Sequence, residues 1–532
     1  MALVPILPLL LHPGAPRADW LADLEGYAVQ EMTAQGVPGL AMAVVQDGQL
    51  VYAKGFGAVS NGPAAAPVDA DTLFHIGSCS KAFVATQMGM LVDEARLAWT
   101  DPPARYLPAF GMYDPWVNAN FQAGDLLNHR TGLREQSLSS MILLGFPTAA
   151  TVGAIRHEKP LTSFRTAYAY QNDMYMAASA LVAAINGRSW AEDLAARLFT
   201  PLGMRRSVTT QAAMNAKGNA ALGHTIAPDG SLDVLPADWG NNFIFDLGQG
   251  AGSIRSSAND MARWLRFNLG LGAIDGQRLI GKDTLRALLA PKTVISPWTE
   301  SLDGKYAGPF LYASGWGYLG YTPRPFYYHG GGDVGFTSSV GLVFGNDDGL
   351  GSGGIVVLTN VGSDYFKTEA TTAKSQVSLR IAVKFYDLFV NRTVPAEDFE
   401  SNIRRLGEVT APAPAASVVP PPRAQPAATR APERYVGAYV HPAYGLFAVE
   451  MADGGLSVVM GPRRMRASLV PTGEADAFVA LLPGYPENFP MFLPVRFADM
   501  DTASPKLLLE NYEQFVRVAP SVPATTLLLE DG

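Results

Sequence analysis

The chain has 532 residues, of which 48% are hydrophobic and 17% are charged, which predicts a folded protein with more than one domain. Its 40 lysine and arginine residues stand against 48 aspartate and glutamate residues, giving a formal charge of −8, so we expect no nucleic-acid partner. The single cysteine, Cys79, excludes an intramolecular disulfide framework. The seven histidines show no zinc-binding spacing, so we expect neither a metal nor another cofactor.

Residues 1–18 form a short apolar N-terminal segment. An apolar run followed by small residues is typical of a signal peptide, but the basic residues that normally precede such a run are missing, so this segment is interpreted as a remnant signal or an apolar arm. A run of about ten residues is too short to cross a bilayer, and we expect no integral membrane span. Localisation stays open, with a periplasmic or secreted protein placed slightly ahead of a cytoplasmic one.

The next predicted elements are a helix and a hairpin. From Asp19, apolar residues at three- and four-residue intervals predict an amphipathic helix that ends at the sequence GVPG. Two β-rich runs then flank Asp47-Gly48, a strong hairpin signal. β character returns near 326–362, so we expect one sheet that is assembled from distant parts of the chain, with helices between them.

The C-terminal part is predicted to be a separate module. Residues 408–433 are rich in proline and alanine and are typical of an extended linker. Beyond them, β-favouring runs alternate with turn clusters, which predicts a small all-β module. The predicted parts of the chain are therefore the segment 1–18, a main domain at 19–407, the linker 408–433 and a barrel domain at 434–520.

A serine precedes a lysine by three residues at the start of an apolar run. The segment from Ser78 to about Ala98 is apolar on nearly all sides, which predicts a helix enclosed by the fold. Residues three apart share a helix face, so the hydroxyl of Ser78 and the amine of Lys81 can meet. A serine hydroxyl needs a base to become a nucleophile, and a lysine serves as that base only where desolvation or nearby positive charge lowers its pKa. Chance alone yields about one or two such pairs in a chain of this length, so the pair is weak evidence by itself.

Two further motifs strengthen this interpretation. Tyr170-Gln171-Asn172 and His329-Gly330-Gly331-Gly332 follow in that order. Ser-x-x-Lys, Tyr-x-Asn and His-Gly-Gly in this order resemble the three active-site motifs of the penicillin-binding-protein and class C β-lactamase family, including its esterase and D-aminopeptidase branches. The resemblance covers roughly 19–390, and the last module resembles the lipocalin-like barrel that some members carry.

The resemblance implies both a fold and roles for individual residues. The implied fold class is α/β (α+β), with an antiparallel sheet flanked by helices, a helical subdomain and a C-terminal antiparallel β-barrel. Ser78 would be the acyl-forming nucleophile, and Lys81 and Tyr170 the proton-transfer pair, with the choice of base between them left open. The implied residues for substrate binding and the oxyanion are Asn172, His329, Gly331 and Gly332, with backbone N–H groups of Ser78 and Gly332 as oxyanion donors.

Two residues depart from the family pattern. His329 stands where class C β-lactamases usually have lysine, and a histidine of ordinary pKa is mostly neutral at pH 7. We therefore expect a peptide, amide or ester substrate that lacks the corresponding carboxylate anchor. Gln171 is larger than the small residue usual at its position, and we expect it to narrow the site.

Alternative interpretations stay open at the level of the sequence. Tyr170 could be a core aromatic residue and Asn172 a helix cap. HGGG also occurs in α/β-hydrolase lipases, but their GxSxG nucleophile elbow is absent from the sequence. The expected activity is that of a peptidase or amidase on small linear or non-standard peptides, such as D-residue or cyclic-derived ones. A carboxylesterase, a peptide- or penicillin-binding protein without turnover, and a homo-oligomeric assembly all remain open.

Overall fold

The computed structural model describes residues 19–300, 307–320, 324–345, 351–363, 368–391, 430–452, 454–487, 489–510 and 513–518. The predicted segment 1–18 and most of the predicted linker 408–433 lie outside the described residues. The domain boundaries therefore stay predictions.

Helices and strands alternate along the chain in an irregular order. The α-helices are Asp19–Ala34 (α1), Lys81–Asp93 (α2), Pro115–Asn120 (α3), Ser139–Leu143 (α4), Thr148–Ala154 (α5), Asn172–Asn186 (α6), Trp190–Leu194 (α7), Thr200–Leu202 (α8), Gln211–Lys217 (α9), Phe243–Leu247 (α10), Ala258–Leu269 (α11), Lys282–Leu289 (α12), Glu369–Ser375 (α13) and Val377–Asn391 (α14). The strands are Gly39–Gln46 (β1), Gln49–Gly57 (β2), Phe74–His75 (β3), His224–Ile226 (β4), Leu232–Val234 (β5), Arg255–Ser256 (β6), Ala273–Ile274 (β7), Gln277–Arg278 (β8), Thr293–Glu300 (β9), Ala307–Ala313 (β10), Trp316–Leu319 (β11), Phe326–Gly332 (β12), Thr337–Val343 (β13), Gly353–Thr359 (β14), Gly437–His441 (β15), Gly445–Ala452 (β16), Gly455–Met460 (β17), Met465–Pro471 (β18), Ala477–Leu481 (β19), Phe492–Ala498 (β20), Lys506–Leu509 (β21) and Glu513–Val518 (β22).

The central element is an antiparallel sheet of eight strands in the order β2-β1-β14-β13-β12-β11-β10-β9. Strand β1, near the start of the chain, pairs with β14 more than 300 residues later, as in Leu40 opposite Thr359. This confirms the prediction of one sheet built from distant parts of the chain. The predicted hairpin is also present, because Asp47 and Gly48 have φ values of 50° and 74°, as a two-residue type I′ turn requires.

Helices cover both faces of this sheet, which explains why every residue of β13 and β14 is buried. Helices α1 and α14 pack on one face, where Trp20 contacts Phe385 and Phe389. The larger core lies on the other face and includes most of α2 and α6. The fold class predicted from the sequence is confirmed.

Helix α2 differs from its predicted bounds. A 3-10 turn at Gly77–Ser80 precedes it, so Ser78 lies just before the α-helix, and the helix ends at Asp93 instead of near Ala98. The early end follows from Ala95, whose φ of 55° is left-handed and cannot continue a right-handed helix.

Strands β15 to β22 form a closed antiparallel barrel. Aromatic side chains fill its interior, and the ring contacts of Tyr435 and Phe497, of Tyr439 and Phe497 and of Phe447 and Phe515 lie between 4.3 and 5.7 Å. The predicted C-terminal barrel is confirmed, while its specific likeness to lipocalins stays a prediction. No helix within the described ranges combines the length and the apolar character needed to cross a membrane.

Candidate active site

Contacts with a distant part of the chain hold the turn that carries Ser78. Strand β3 pairs with β6, and immediately after it the N–H of Ile76 donates to the carbonyl of Ile254 at 3.0 Å. The hydroxyl of Ser80 accepts the N–H of Ile254 at 3.1 Å, so both sides of the turn are tied to one residue. Ser78 itself is half-buried, and its hydroxyl is therefore placed in a fixed, partly dry position.

Two glycines allow the Ser78 turn to pack against the end of β12. Gly77 has a φ of +48°, and a Cβ on it would lie 2.7 Å from the backbone nitrogen of Gly332. A Cβ on Gly331 would lie 2.0 Å from the carbonyl oxygen of Ile76. A side chain at either position would push the turn and the strand apart.

Lys81 is fully buried and has only neutral polar partners. Its Nζ lies 3.1 Å from Ser78 Oγ and donates at 2.8 Å to Asn172 Oδ1 and at 2.8 Å to the carbonyl of Ala251. Burial holds the pKa of the Lys81 amine well below its usual value. A neutral amine has two N–H donors and one lone pair, and two of the three partners are pure acceptors. The lone pair then faces the hydroxyl of Ser78.

Tyr170 lies beside this amine. The Lys81 Nζ is 4.7 Å from the centre of the Tyr170 ring, and the nearby Ser78 side chain acts to lower the pKa of the phenol, against the larger effect of burial. Burial raises the pKa of Tyr170 well above its usual value, so the phenol keeps its proton. The ring of His129 supports Tyr170 at 4.3 Å, and His129 Nδ1 accepts the N–H of Gln171 at 3.1 Å.

Asn172 begins α6, but its side chain does not cap the helix. Its Oδ1 accepts from Lys81, and its Nδ2 donates to Gln136 Oε1 at 2.8 Å. The N–H of Gln136 in turn donates to the Tyr170 carbonyl at 2.8 Å. The side chain of Asn172 therefore does not cap the helix, which was the structural alternative for this residue.

His329 is neutral in its surroundings. Only 7% of the residue is exposed, and burial lowers its pKa to about 3. Its Nδ1 donates to the carbonyl of Gly330 at 2.7 Å, and its Nε2 accepts from the hydroxyl of Tyr312 at 3.2 Å. The wall of the site at this position carries no cation.

Gln171 does not narrow the site, contrary to the expectation from its size. Its side chain is buried on the far side of the backbone, where Nε2 donates to the Leu133 carbonyl at 3.2 Å and Oε1 accepts from Thr131 at 2.8 Å. Cys79 is buried as well, with its Sγ 3.3 Å from the carbonyl of His329, and burial raises the pKa of this thiol to about 12.

The structure thus brings the residues of all three motifs together. It also adds residues that the sequence analysis missed. Ala251 lies within the range of the family resemblance, but a backbone carbonyl has no side-chain signature. Gln136 and Tyr312 carry no sequence signal at all, since a glutamine in a loop and a tyrosine in a strand are common. Within the described ranges, no cluster of three or more His, Cys, Asp or Glu side chains is suited to a metal ion.

An antiparallel sheet covered by helices, with a serine placed before a buried helix that carries a lysine one turn on, defines a serine hydrolase. The Beta-lactamase family model matches residues 24–377, and the chain belongs to this family.

Three known proteins show how the chain relates to its family. An unguisins hydrolase of Aspergillus campestris is 27% identical over 448 residues, which cover 79% of this chain and 76% of that protein. A D-aminopeptidase of Gluconobacter oxydans is 28% identical over 263 residues, which cover 48% of this chain and only 46% of the D-aminopeptidase. The structure of an octameric penicillin-binding protein homologue from Pyrococcus abyssi superposes with a TM-score of 0.59 at 19% identity, over 93% of this chain and 100% of that one, and so shares the fold.

Proposed function

We propose that the protein is a peptidase or amidase that acts on small linear or non-standard peptides through an acyl-enzyme on Ser78. The observation that carries the proposal is the buried Lys81 amine, which has two neutral acceptors and the Ser78 hydroxyl as its partners. Among the described residues no carboxylate pairs with this amine, so burial favours its basic, uncharged form.

In the acylation step, Lys81 acts as the base and Tyr170 as the proton donor. Ser78 Oγ forms a bond to the substrate carbonyl carbon while its proton passes to Lys81 Nζ. The phenol, whose pKa is raised by burial, delivers a proton to the departing amine as the C–N bond breaks, and regains one from Lys81. Water then attacks the acyl-enzyme and releases the acid, returning the proton to Ser78.

The oxyanion is proposed to be held by the backbone N–H groups of Ser78 and Gly332. Support comes from the close packing of Gly77 on the nitrogen of Gly332, which sets the two donors side by side. Two such donors aimed at the developing charge are worth several kcal/mol in other acyl-transfer enzymes, about 3 kcal/mol each. Asn172 is proposed to orient the substrate amide as well as Lys81.

The proposed substrate is a peptide or amide that needs no cationic anchor for a carboxylate. Neutral His329 supports this, because a buried imidazole with a lowered pKa cannot pair with an anion at neutral pH. The names of two relatives, an unguisins hydrolase and a D-aminopeptidase, support peptide-type substrates, including those with D-residues. A homo-oligomer is proposed on the octameric state of the homologue from Pyrococcus abyssi.

A carboxylesterase is the second candidate. The observation in its favour is the same uncharged wall, formed by His329 with Tyr312 and Tyr170, since a simple ester also needs no charged anchor. The leaving alcohol of an ester requires less help from a proton donor than an amine does.

One substrate panel tests these proposals. Wild type and Ser78→Ala are compared on D- and L-aminoacyl amides, short linear peptides and short acyl esters. We expect wild type to turn over amides or peptides, and Ser78→Ala to lose that turnover while keeping its fold by circular dichroism. Turnover of esters alone would favour the esterase, and a stable adduct on Ser78 without product would favour a binding protein. Full activity of Ser78→Ala would contradict all three.

A further inference from the structure

The barrel holds one segment of the hydrolase fold at both of its ends. We call residues 134–144 the bridging segment. At its start, Arg134 Nη2 donates to Glu513 Oε1 of β22 at 2.7 Å. Further along, the hydroxyls of Ser140 and Tyr444 lie 2.8 Å apart, and Gly461 of the barrel packs so closely on Leu144 that a Cβ there would lie 2.6 Å from the Leu144 carbonyl.

The middle of the bridging segment reaches the active site. Gln136 Oε1 accepts from Asn172, and the Gln136 N–H donates to the carbonyl of Tyr170, both at 2.8 Å. Ser137 Oγ donates to Asp173 Oδ2 at 3.0 Å. Tyr170, Asn172 and Asp173 thus all have hydrogen-bond partners on the bridging segment.

The backbone of the bridging segment is in a conformation that needs support. Gln136 has a φ of 54° and Leu138 a φ of 55°, and both lie in the left-handed region that side-chain-bearing residues rarely adopt. Such conformations persist where surrounding contacts enforce them. Leu138 is fully buried, and the ends of the segment are held by the barrel.

We propose that the barrel is a positioning element of the active site: through Arg134 and Ser140 it holds the bridging segment in the shape in which Gln136 keeps Asn172 against Lys81. Glu513, Tyr444 and Arg134 are then positioning residues that touch no reacting atom. This inference rests on the proposed function of Ser78.

The contacts link in one continuous path. Glu513 holds Arg134, the segment carries Gln136, Gln136 holds the amide of Asn172, and Asn172 Oδ1 accepts from the amine that faces Ser78. Weakening the contacts between the barrel and the bridging segment therefore reduces the fraction of molecules in which the Lys81 amine faces the Ser78 hydroxyl. Loss of alignment slows attack by Ser78, because acyl transfer depends steeply on geometry.

The test is a double-mutant cycle in the full chain, read by the rate at which a fluorophosphonate labels Ser78. Glu513→Gln with Tyr444→Phe removes the charge that pairs with Arg134 and the hydroxyl that meets Ser140, with little change in shape, and leaves the longer contacts of Glu510 with Arg134 at 3.8 Å and with Ser140 at 3.4 Å. This pair is made in wild type and in Gln136→Ala. The matched control is Asn241→Ala, which removes a different barrel contact, the 2.9 Å hydrogen bond from Asn241 Nδ2 to the Pro483 carbonyl, without touching the bridging segment.

We expect the barrel pair to slow labelling by about tenfold in wild type and to have little further effect once Gln136 is alanine, since coupled residues are non-additive. Asn241→Ala keeps the wild-type labelling rate even if its melting temperature falls. An equal slowing by the barrel pair in both backgrounds, or by Asn241→Ala, would overturn the inference and leave the barrel with a purely stabilising role. Should the double variant fail to fold, Tyr444→Phe alone is put through the same cycle with the same two outcomes.

The labelling experiment also distinguishes failure of the proposed function from failure of this inference. If wild type itself is not labelled at Ser78, the function proposed for that serine is contradicted, and the inference falls with it. If wild type is labelled and the barrel pair is labelled at the same rate, only the inference is overturned.

Discussion

Two basic side chains in the described part of the chain have opposite surroundings: Lys81 is fully buried and Arg134 is largely buried. Lys81 has an amide oxygen, a carbonyl and a hydroxyl around it, all neutral. Arg134 has three carboxylates around it, of Glu158, Glu510 and Glu513, within 3.9 Å. An isolated buried amine gives up its proton and becomes a base, whereas an always-charged guanidinium among carboxylates stays paired and holds two parts of the fold together.

The largest expected effect comes from removing the Lys81 amine. Lys81→Met should slow fluorophosphonate labelling of Ser78 by about 10³-fold, because the proton acceptor is lost. The unfolding free energy should change little, since relief of a buried amine offsets two unpaired acceptors. Rates come from intact-mass spectrometry over time, and stability from denaturant unfolding.

Lys292 provides a matched control for that variant. Its amine also donates to two carbonyls and a serine hydroxyl, and burial lowers its pKa to about 8, but it has no contact with Ser78. Lys292→Met should leave the labelling rate near that of wild type. A Lys81→Met protein that still labels at the wild-type rate would mean that Lys81 is not the base.

Removing the guanidinium of Arg134 should lower the stability of the fold. Arg134→Met leaves three carboxyl groups without their guanidinium in a largely buried place, and we expect a loss of about 3–5 kcal/mol in unfolding free energy. Arg286→Met is the surface control, because the Arg286–Asp283 pair is exposed and should contribute less than about 1 kcal/mol. If urea unfolding showed equal losses of unfolding free energy for both variants, the claim that the buried Arg134 cluster stabilises the fold more than an exposed pair would be contradicted.

A smaller effect is expected where β12 meets the Ser78 turn. Gly331→Ala places a Cβ against the carbonyl of Ile76 and should cost about 1–3 kcal/mol by overpacking, with slower labelling of Ser78. Gly240→Ala, where a Cβ has open space, is the control and should match wild type in both measurements. Unchanged stability and labelling in Gly331→Ala would show that the turn and strand are not tightly fitted.

The smallest effect is a pH dependence at the carboxylate cluster. Burial, followed by repulsion from Glu513, raises the pKa of Glu158 to about 8, with Arg134 opposing and Asp173 adding to the shift. Glu510, His441 and Tyr444 also face this cluster, and His157 lies near His441. The folded protein therefore keeps a proton on Glu158 that the unfolded chain releases near its ordinary pKa, and this stabilisation is lost as the pH rises towards 8.

The melting temperature should accordingly fall by a few degrees between pH 5 and pH 8 and fall no further above pH 8 on account of this group. Glu158→Gln, which cannot ionise, should flatten that part of the curve in calorimetry. A profile of the same slope in the variant would assign the pH dependence to other groups.

Much of the fold followed from local sequence signals. Asp47-Gly48 predicted the first hairpin, and the apolar run after Ser78 predicted a buried helix, since both depend on neighbouring residues. The end of that helix at Asp93 was not predictable, because the left-handed turn at Ala95 depends on its surroundings in the fold.

The residues of the site also divide into those that the sequence predicted and those that it could not predict. Ser78, Lys81, Tyr170, Asn172 and His329 stand in motifs with fixed spacing, and the chain brings them together. Gln136 could not be found, because its role arises from a left-handed loop between two folded units. Gln171 was misinterpreted from its size alone, since the backbone of the motif turns its side chain away from the cleft.

The most direct test of the central claim is to locate the covalent adduct after wild-type protein reacts with a fluorophosphonate. We predict one adduct per chain, found by peptide mapping on Ser78, formed in Lys292→Met and absent from Ser78→Ala. An adduct on another residue, or none in folded wild-type protein, would contradict the claim that the buried Lys81 amine activates Ser78.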